Sequence, residues 1–143
     1  FQAVPQGKTI EEWISCFKMF LRTPEISVIG LSRISVPKCW KKVLHIARPM
    51  CVNRCLQITK DRAITFHLLG LTEPNELSHP LYRKEMFRSI DSKLPIKYGA
   101  VGISIRQIGW NRIHPHLDFN TPIPNNYYPI VEDNINYIEE LLR

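Results

Sequence analysis

The chain has little of what marks a membrane protein, a zinc protein or a nucleotide-binding enzyme. No apolar run approaches the roughly 18 residues needed to cross a bilayer, and no signal peptide is visible. The expectation is a protein that works in the cytoplasm, away from membranes. Cysteine is sparse: Cys16, Cys39, Cys51 and Cys55 are the full set. Cys51 and Cys55 stand four apart, which puts them on one face of a helix, and no C-x-x-C pair of a zinc knuckle occurs. Cys16 falls on an apolar helical stripe, so the thiols read as reduced and structural. There is no G-x-G-x-x-G, no P-loop, no G-x-S-x-G elbow and no H-E-x-x-H. These absences argue against the common dinucleotide, nucleotide triphosphate, α/β-hydrolase and zinc-protease chemistries. His114-Pro115-His116-x-Asp118 offers metal-ligand side chains, but Pro115 and the lack of a regular element weaken it. No metal and no cofactor are expected. Internal repeats and low-complexity segments are also missing.

What is present describes a globular protein. At 143 residues, 44% hydrophobic and 22% charged, the chain is long enough for one domain over residues 1–143 and too apolar to be disordered. The formal charge of +6 fits either a polyanionic partner or a solvated basic face. The first residue is Phe1, not Met, so a fragment, a processed product or a longer protein is expected.

The order of elements predicts the fold class. Residues 1–7 read as a short strand running into a loop. Thr9-Ile10-Glu11-Glu12 is a capping box, and Ile10, Trp13, Ile14, Phe17, Phe20 and Leu21 follow at a helical period. Residues 26–31 are a short apolar run of the buried parallel-strand type. A basic helix is expected over 37–47, broken at Arg48-Pro49, with a second short helix to Leu56. Residues 63–70 read as a third strand, Thr72 to Leu77 as a helix start with Pro in its first turn, and residues 87–90 as a fourth strand. No hairpin signal separates these strands, so alternation of strands and helices predicts a parallel sheet with right-handed crossovers. Residues 110–129 read as an extended loop. An amphipathic helix over 126–142, with Val131, Ile135, Ile138 and Leu142 on one face, closes the chain. The fold class is α/β. Four βα units make a small open sheet or the C-terminal half of a TIM-like barrel, which needs about 250 residues when whole.

In a parallel sheet the ligand crevice lies at the carboxyl ends of the strands. Those ends offer Gln6-Gly7, Gly30 with Ser32 and Arg33, His67 with Gly70, and Asp91. Gly7 and Gly70 would let a planar ligand approach the backbone, and Gln6 has amide groups to read a base. His67 alone is more often a satisfied buried histidine than a ligand. Asp91 either caps the helix that follows or faces the crevice.

Taken in order, the four strand ends resemble the C-terminal half of the tRNA-guanine transglycosylase family, which includes phage relatives that place 7-deazaguanine bases in DNA. Val4-Pro5-Gln6-Gly7 is similar to the family's V-Q-G-G. Val28-Ile29-Gly30-Leu31 resembles its glycine-bearing strand. The stretch from Phe66 to Glu76 resembles an H-Y-L-M-G-V-G-x-P-D-D segment. Ile90-Asp91-Ser92-Lys93-Leu94-Pro95-Ile96-Lys97 resembles the F-D-C-V-L-P-T-R segment of the nucleophile. The resemblance covers roughly residues 1–100. It implies that Asp91 attacks the sugar of a guanosine in DNA or tRNA and that a 7-deazaguanine base displaces it. It also implies that Gln6, Gly7, Gly30, His67 and Gly70 bind the base. Independently of the resemblance, the dipole of the helix expected after Asp91 would keep its carboxylate anionic. Arg88, Lys93 and Lys97 are expected to meet phosphates, on charge and nearness in sequence alone. The departures are Lys8 in place of the second glycine, Lys97 in place of an arginine, and no cysteine after Asp91 for the family's zinc site. The resemblance further implies an N-terminal half, or a second chain, that completes the barrel and brings another aspartate. Without it, a nucleic-acid-binding or assembly subunit is the alternative expectation.

Overall fold

The computed structural model of the chain describes residues 1–59, 62–72, 74–108, 115, 120 and 122–142. His114, His116 and Asp118 lie outside the described residues, as does half of the loop expected over 110–129. The described chain forms two compact units, residues 1–91 and 92–143.

The first unit holds a four-stranded parallel sheet: β1 (Gln2–Ala3), β2 (Val28–Ser32), β3 (Thr65–Leu69) and β4 (Phe87–Ile90), side by side in that order. Consecutive parallel strands that advance in one direction require every right-handed crossover to fall on the same face. The helices α1 (Ile10–Phe20), α2 (Ser35–Trp40) and α3 (Leu44–Ile58) are those crossovers. Side chains alternate along a strand, so Ile29, Leu31, Phe66 and Leu68 point at the helices and are fully buried. They meet Trp13 and Phe17 of α1, Val36 and Trp40 of α2, and Cys51, Val52 and Cys55 of α3 in one core. Trp13 lies edge-on to Trp40, ring centroids 5.3 Å apart, in the geometry the ring quadrupoles favour. The other parity, Gly30, His67 and Ser89, shares one level of the opposite face.

The cap forms at Thr9, with the return bond of Glu12 one residue earlier than a capping box places it. Thr9 accepts the Glu12 N–H at 3.2 Å, and Glu12 reaches back to the Lys8 N–H at 2.7 Å. Three local expectations are corrected. The helical break falls at Lys41, which adopts a left-handed conformation with φ 50°, and α3 runs through Pro49 without ending. Proline normally costs a helix several kcal/mol in its interior. Here Arg48, fully buried, ties that turn to the sheet with bonds from one guanidinium nitrogen to the carbonyls of Leu31 (3.2 Å) and Leu69 (3.1 Å). Among its described residues the crossover from β3 to β4 contains no α-helix. It has two 3₁₀ turns, Pro74–Ser78 and Lys84–Met86, because Pro80 between them cannot continue a helix. Cys16 is half-buried rather than a core thiol, while Cys39, Cys51 and Cys55 are buried.

The second unit is helical: α4 (Leu94–Gly99), α5 (Ile105–Ile108), a 3₁₀ turn at Asn125–Tyr127 and α6 (Tyr128–Leu141). The buried face of α6 is Val131, Asn134 and Ile138, while Ile135 is exposed. Asn134 displaces the expected isoleucine because its amide serves buried backbone. It accepts the Ile105 N–H at 2.6 Å and donates to the carbonyls of Ile103 (2.9 Å) and Pro95 (3.3 Å). Gly99 lets α4 approach α6 closely, since a Cβ there would sit 2.7 Å from the Val131 Cα. No described helix is long and apolar enough to cross a membrane.

Candidate functional site

The strand-end residues do not all assemble. Gln6 is exposed and its amide turns back to the Val4 carbonyl at 3.4 Å. The space a side chain would take at Gly7 belongs to α1, because a Cβ would sit 2.5 Å from the Trp13 nitrogen. Gly7 therefore serves helix packing and opens no room for a base, and its carbonyl accepts the Cys39 thiol at 3.0 Å. Gly30 is covered by the chain's own side chains. A Cβ there would meet Gln2 and Val4 at 2.9 Å and Leu69 at 3.1 Å.

The last two strand ends do come together. Register brings this about through an irregularity between β3 and β4: Phe66 pairs with Phe87, but His67 pairs with Ser89 and Leu68 with Ile90. Arg88 is the extra residue of this bulge and is exposed. An unbroken register would set Arg88 against His67 and Ser89 against Leu68. The bulge instead matches Ile90 to the apolar Leu68 and turns Ser89 to His67, the re-aiming that bulges produce beside functional sites. The Ser89 hydroxyl lies 2.7 Å from His67 Nδ1. His67 Nε2 lies 3.6 Å from Asp91 Oδ1, beyond a hydrogen bond but within electrostatic reach. The His67 side chain is 14% exposed and that of Asp91 62%.

Asp91 caps no helix. Its Oδ1 accepts the Gly70 N–H, and its backbone continues the sheet through bonds to Leu68 and Leu71. The N-cap of α4 is Lys93, and the Leu94 N–H is served by Ser92 at 3.2 Å. The carboxylate is thus oriented by an amide of the neighbouring strand end, and the expected helix-dipole support gives way to this bond. Gly70 can present that amide because it sits at φ +72°, a conformation glycine adopts without strain. Asp91 Oδ2 has no partner among the described residues.

Of the basic residues expected at phosphates, Arg88 stands at the sheet edge. Lys93 and Lys97 belong to the second unit, Lys93 exposed and Lys97 half-buried. Other basic residues are committed to structure. Arg62 bonds the carbonyls of Leu21, Thr23, Pro24 and Ile26, and Arg48 pairs with Glu76 at 2.6 Å, both fully buried. Among the described residues no cluster of His, Cys, Asp and Glu could hold a metal. Two surface depressions, of about 310 and 470 Å³, are lined by α1 residues with Arg54 and by residues around Asn53 and Pro80; neither contains a strand-end residue.

Sequence reasoning missed Ser89 and the Arg48–Glu76 pair, and it offered Arg33 at a strand end without giving it a role. Only the alternation of Arg88-Ser89 beside an otherwise apolar strand hinted at the first. No family model, curated protein or solved structure matches the chain.

Proposed function

We propose that this chain is a guanine transglycosylase that exchanges a guanine in DNA or tRNA for a 7-deazaguanine base, with Asp91 as the nucleophile. The observation that carries the reading is the setting of the Asp91 carboxylate. It ends the fourth of four parallel strands, one oxygen is fixed by the Gly70 amide, the other has no partner among the described residues, and the side chain is largely exposed. A carboxylate so held suits an oxocarbenium-like transition state, which a nearby anion stabilises. In the first step Oδ2 bonds to the anomeric carbon, the glycosidic bond breaks, and its electron pair leaves with the purine nitrogen, which is then protonated. In the second step the ring nitrogen of the incoming 7-deazaguanine attacks the same carbon, the ester bond to Asp91 breaks, and the proton this nitrogen gives up balances the one the departing guanine took. Two inversions retain the sugar configuration. No ATP is needed, because one glycosidic bond replaces another.

His67 and Ser89 act beneath this step. In the tautomer where His67 Nδ1 accepts the Ser89 hydroxyl, Nε2 carries its hydrogen beside Asp91 Oδ1. Together with the Gly70 amide this steadies one carboxylate oxygen and leaves Oδ2 to react. The consecutive strand order is that of neighbouring strands in a β/α barrel, which supports the C-terminal half-barrel as the finer description of the sheet. The outer edges of β1 and β4, unpaired among the described residues, favour a second reading, a half-barrel that binds nucleic acid and joins another chain.

One experiment separates the two. Full-length protein is incubated with labelled guanine or a labelled 7-deazaguanine precursor and either tRNA or duplex DNA. Incorporation that Asp91→Asn abolishes, with a covalent protein–nucleic acid adduct trapped only in the wild type, is the expected result. Nucleic acid bound without label incorporated, equally in wild type and variant, gives the second reading and sinks the first.

A further inference from the structure

A substrate of this site brings its own negative charge to a carboxylate. Each nucleotide of a nucleic acid has phosphates on both sides of its sugar, and Asp91 repels them. A cation close to Asp91 and not neutralised by it is therefore needed. Arg88 is the extra residue of the β4 bulge, three residues before Asp91, and no contact among the described residues orients its side chain toward the carboxylate.

Arg33 fits. It is the first residue beyond β2, and its N–H donates to the Leu69 carbonyl at 3.2 Å, so the ladder between β2 and β3 runs one residue past the strand and fixes its backbone at the carboxyl edge. Its side chain then lies across Gly70. A Cβ at residue 70 would sit 2.6 Å from Arg33 Cδ and 3.2 Å from both Cγ and Nε. The stem thus occupies the side-chain space that Gly70 leaves empty. Gly70 is the same residue whose N–H holds Asp91. One glycine joins the two groups, its amide serving the carboxylate and its missing side chain admitting the arginine stem. Arg33 is exposed, and its guanidinium has no ion pair or hydrogen bond among the described residues. Arg48, Arg62 and Arg106 contrast with it, each spent on carboxylates or carbonyls. An arginine with its stem seated by packing and its planar fork left open is pre-organised for bidentate recognition of an oxyanion.

We infer that Arg33 is a phosphate-binding residue of this site and seats a phosphodiester beside the nucleotide that Asp91 attacks. The inference rests on the reading of Asp91 as the centre of the site, and its test is one of binding, so the two stand or fall separately. Anisotropy of a fluorescent guanine-containing oligonucleotide is measured across a salt series. The proteins are the full-length wild type, Arg33→Ala, Arg33→Lys and Arg22→Ala, each made both alone and in an Asp91→Asn background. Arg22 is an exposed arginine just beyond α1, which the parallel topology puts at the opposite edge of the sheet. Arg33→Ala is expected to bind about tenfold more weakly and to reduce the slope of log affinity against log salt by about one. Arg33→Lys keeps the slope and part of the affinity, which also guards against a folding defect in the alanine variant. Arg22→Ala matches the wild type. The pattern persists in the Asp91→Asn background, where no exchange occurs. Arg33→Ala and Arg22→Ala with the same affinity and slope would overturn the inference, as would a wild type that binds no oligonucleotide. Binding that depends on Arg33 without any exchange dependent on Asp91 would instead remove the transglycosylase reading and leave the phosphate site.

Discussion

Two polar clusters adjoin the carboxyl end of β3, and they are built in opposite ways. On the helix side, Arg48, Glu76 and Tyr82 form a buried, paired set in which the Arg48 Nε alone has no partner among the described residues. Arg48 donates to Glu76 and to two strand carbonyls, and the Tyr82 hydroxyl donates to the other Glu76 oxygen at 2.8 Å. On the other face, His67, Ser89 and Asp91 form an open set in which one carboxylate oxygen has no partner among the described residues. Burial explains the difference. A charge taken out of water must be paired and hydrogen-bonded or it destabilises the fold by several kcal/mol. A carboxylate left in water has no such requirement, so it can keep a lone pair for a substrate. The contrast teaches that ion pairing near a strand end is evidence of scaffold, and that an oriented but unsaturated group is the better candidate for chemistry.

The sharpest break of this comparison is Asp91→Asn. Exchange is expected to fall on the order of a thousandfold or more, while stability changes by less than about 0.5 kcal/mol, because the side chain is largely in water. Denaturant titration beside the exchange assay checks both halves. Arg48→Ala should do the reverse. It strands Glu76 without its guanidinium and costs about 3–5 kcal/mol in denaturant, and a loss no greater than that of Asp91→Asn would dissolve the distinction between the clusters.

A third effect is in pH. Burial first, then the neighbouring Glu76 carboxylate, raises the Tyr82 hydroxyl far above its usual range. The folded state holds this proton where the unfolded chain releases it. Stability from Tyr82 is therefore full below about pH 10 and declines above it, by about 1.4 kcal/mol per pH unit at most. Tyr82→Phe should flatten that alkaline limb relative to the wild type, and parallel limbs would count against the buried network. The smallest effect belongs to His67→Gln, expected to lower exchange about tenfold through a less steady Asp91, with oligonucleotide affinity unchanged. Exchange at the wild-type rate would leave His67 a packing residue.

Much of the sheet was legible because strands write their burial locally. The apolar run at Val28–Leu31 and the segment Thr65–Leu69 appear where their periods predict, and Thr9 and Glu12 announced α1. Asp91 was legible as a strand-end acid. Its holder was not. The Gly70 amide lies in a different strand, and nothing local distinguishes an aspartate that caps its own helix from one bonded across the sheet. Pro49 misled for the same reason: a helix breaker by propensity, it is overruled by the Arg48 contacts to β2 and β3.

By itself the sequence determined the parallel α/β class, the faces of α1 and β2, and the candidate acid at residue 91. All of these follow from side-chain period and short-range capping, which neighbours in the chain decide. The tertiary structure alone decided that Arg88 bulges so that Ser89 meets His67, that Gly7 packs α1 where Gly70 serves Asp91 and Arg33, and that Asn134 is buried where Ile135 is not. Each of these depends on which distant backbone group needs a partner, and long-range register sets that pairing.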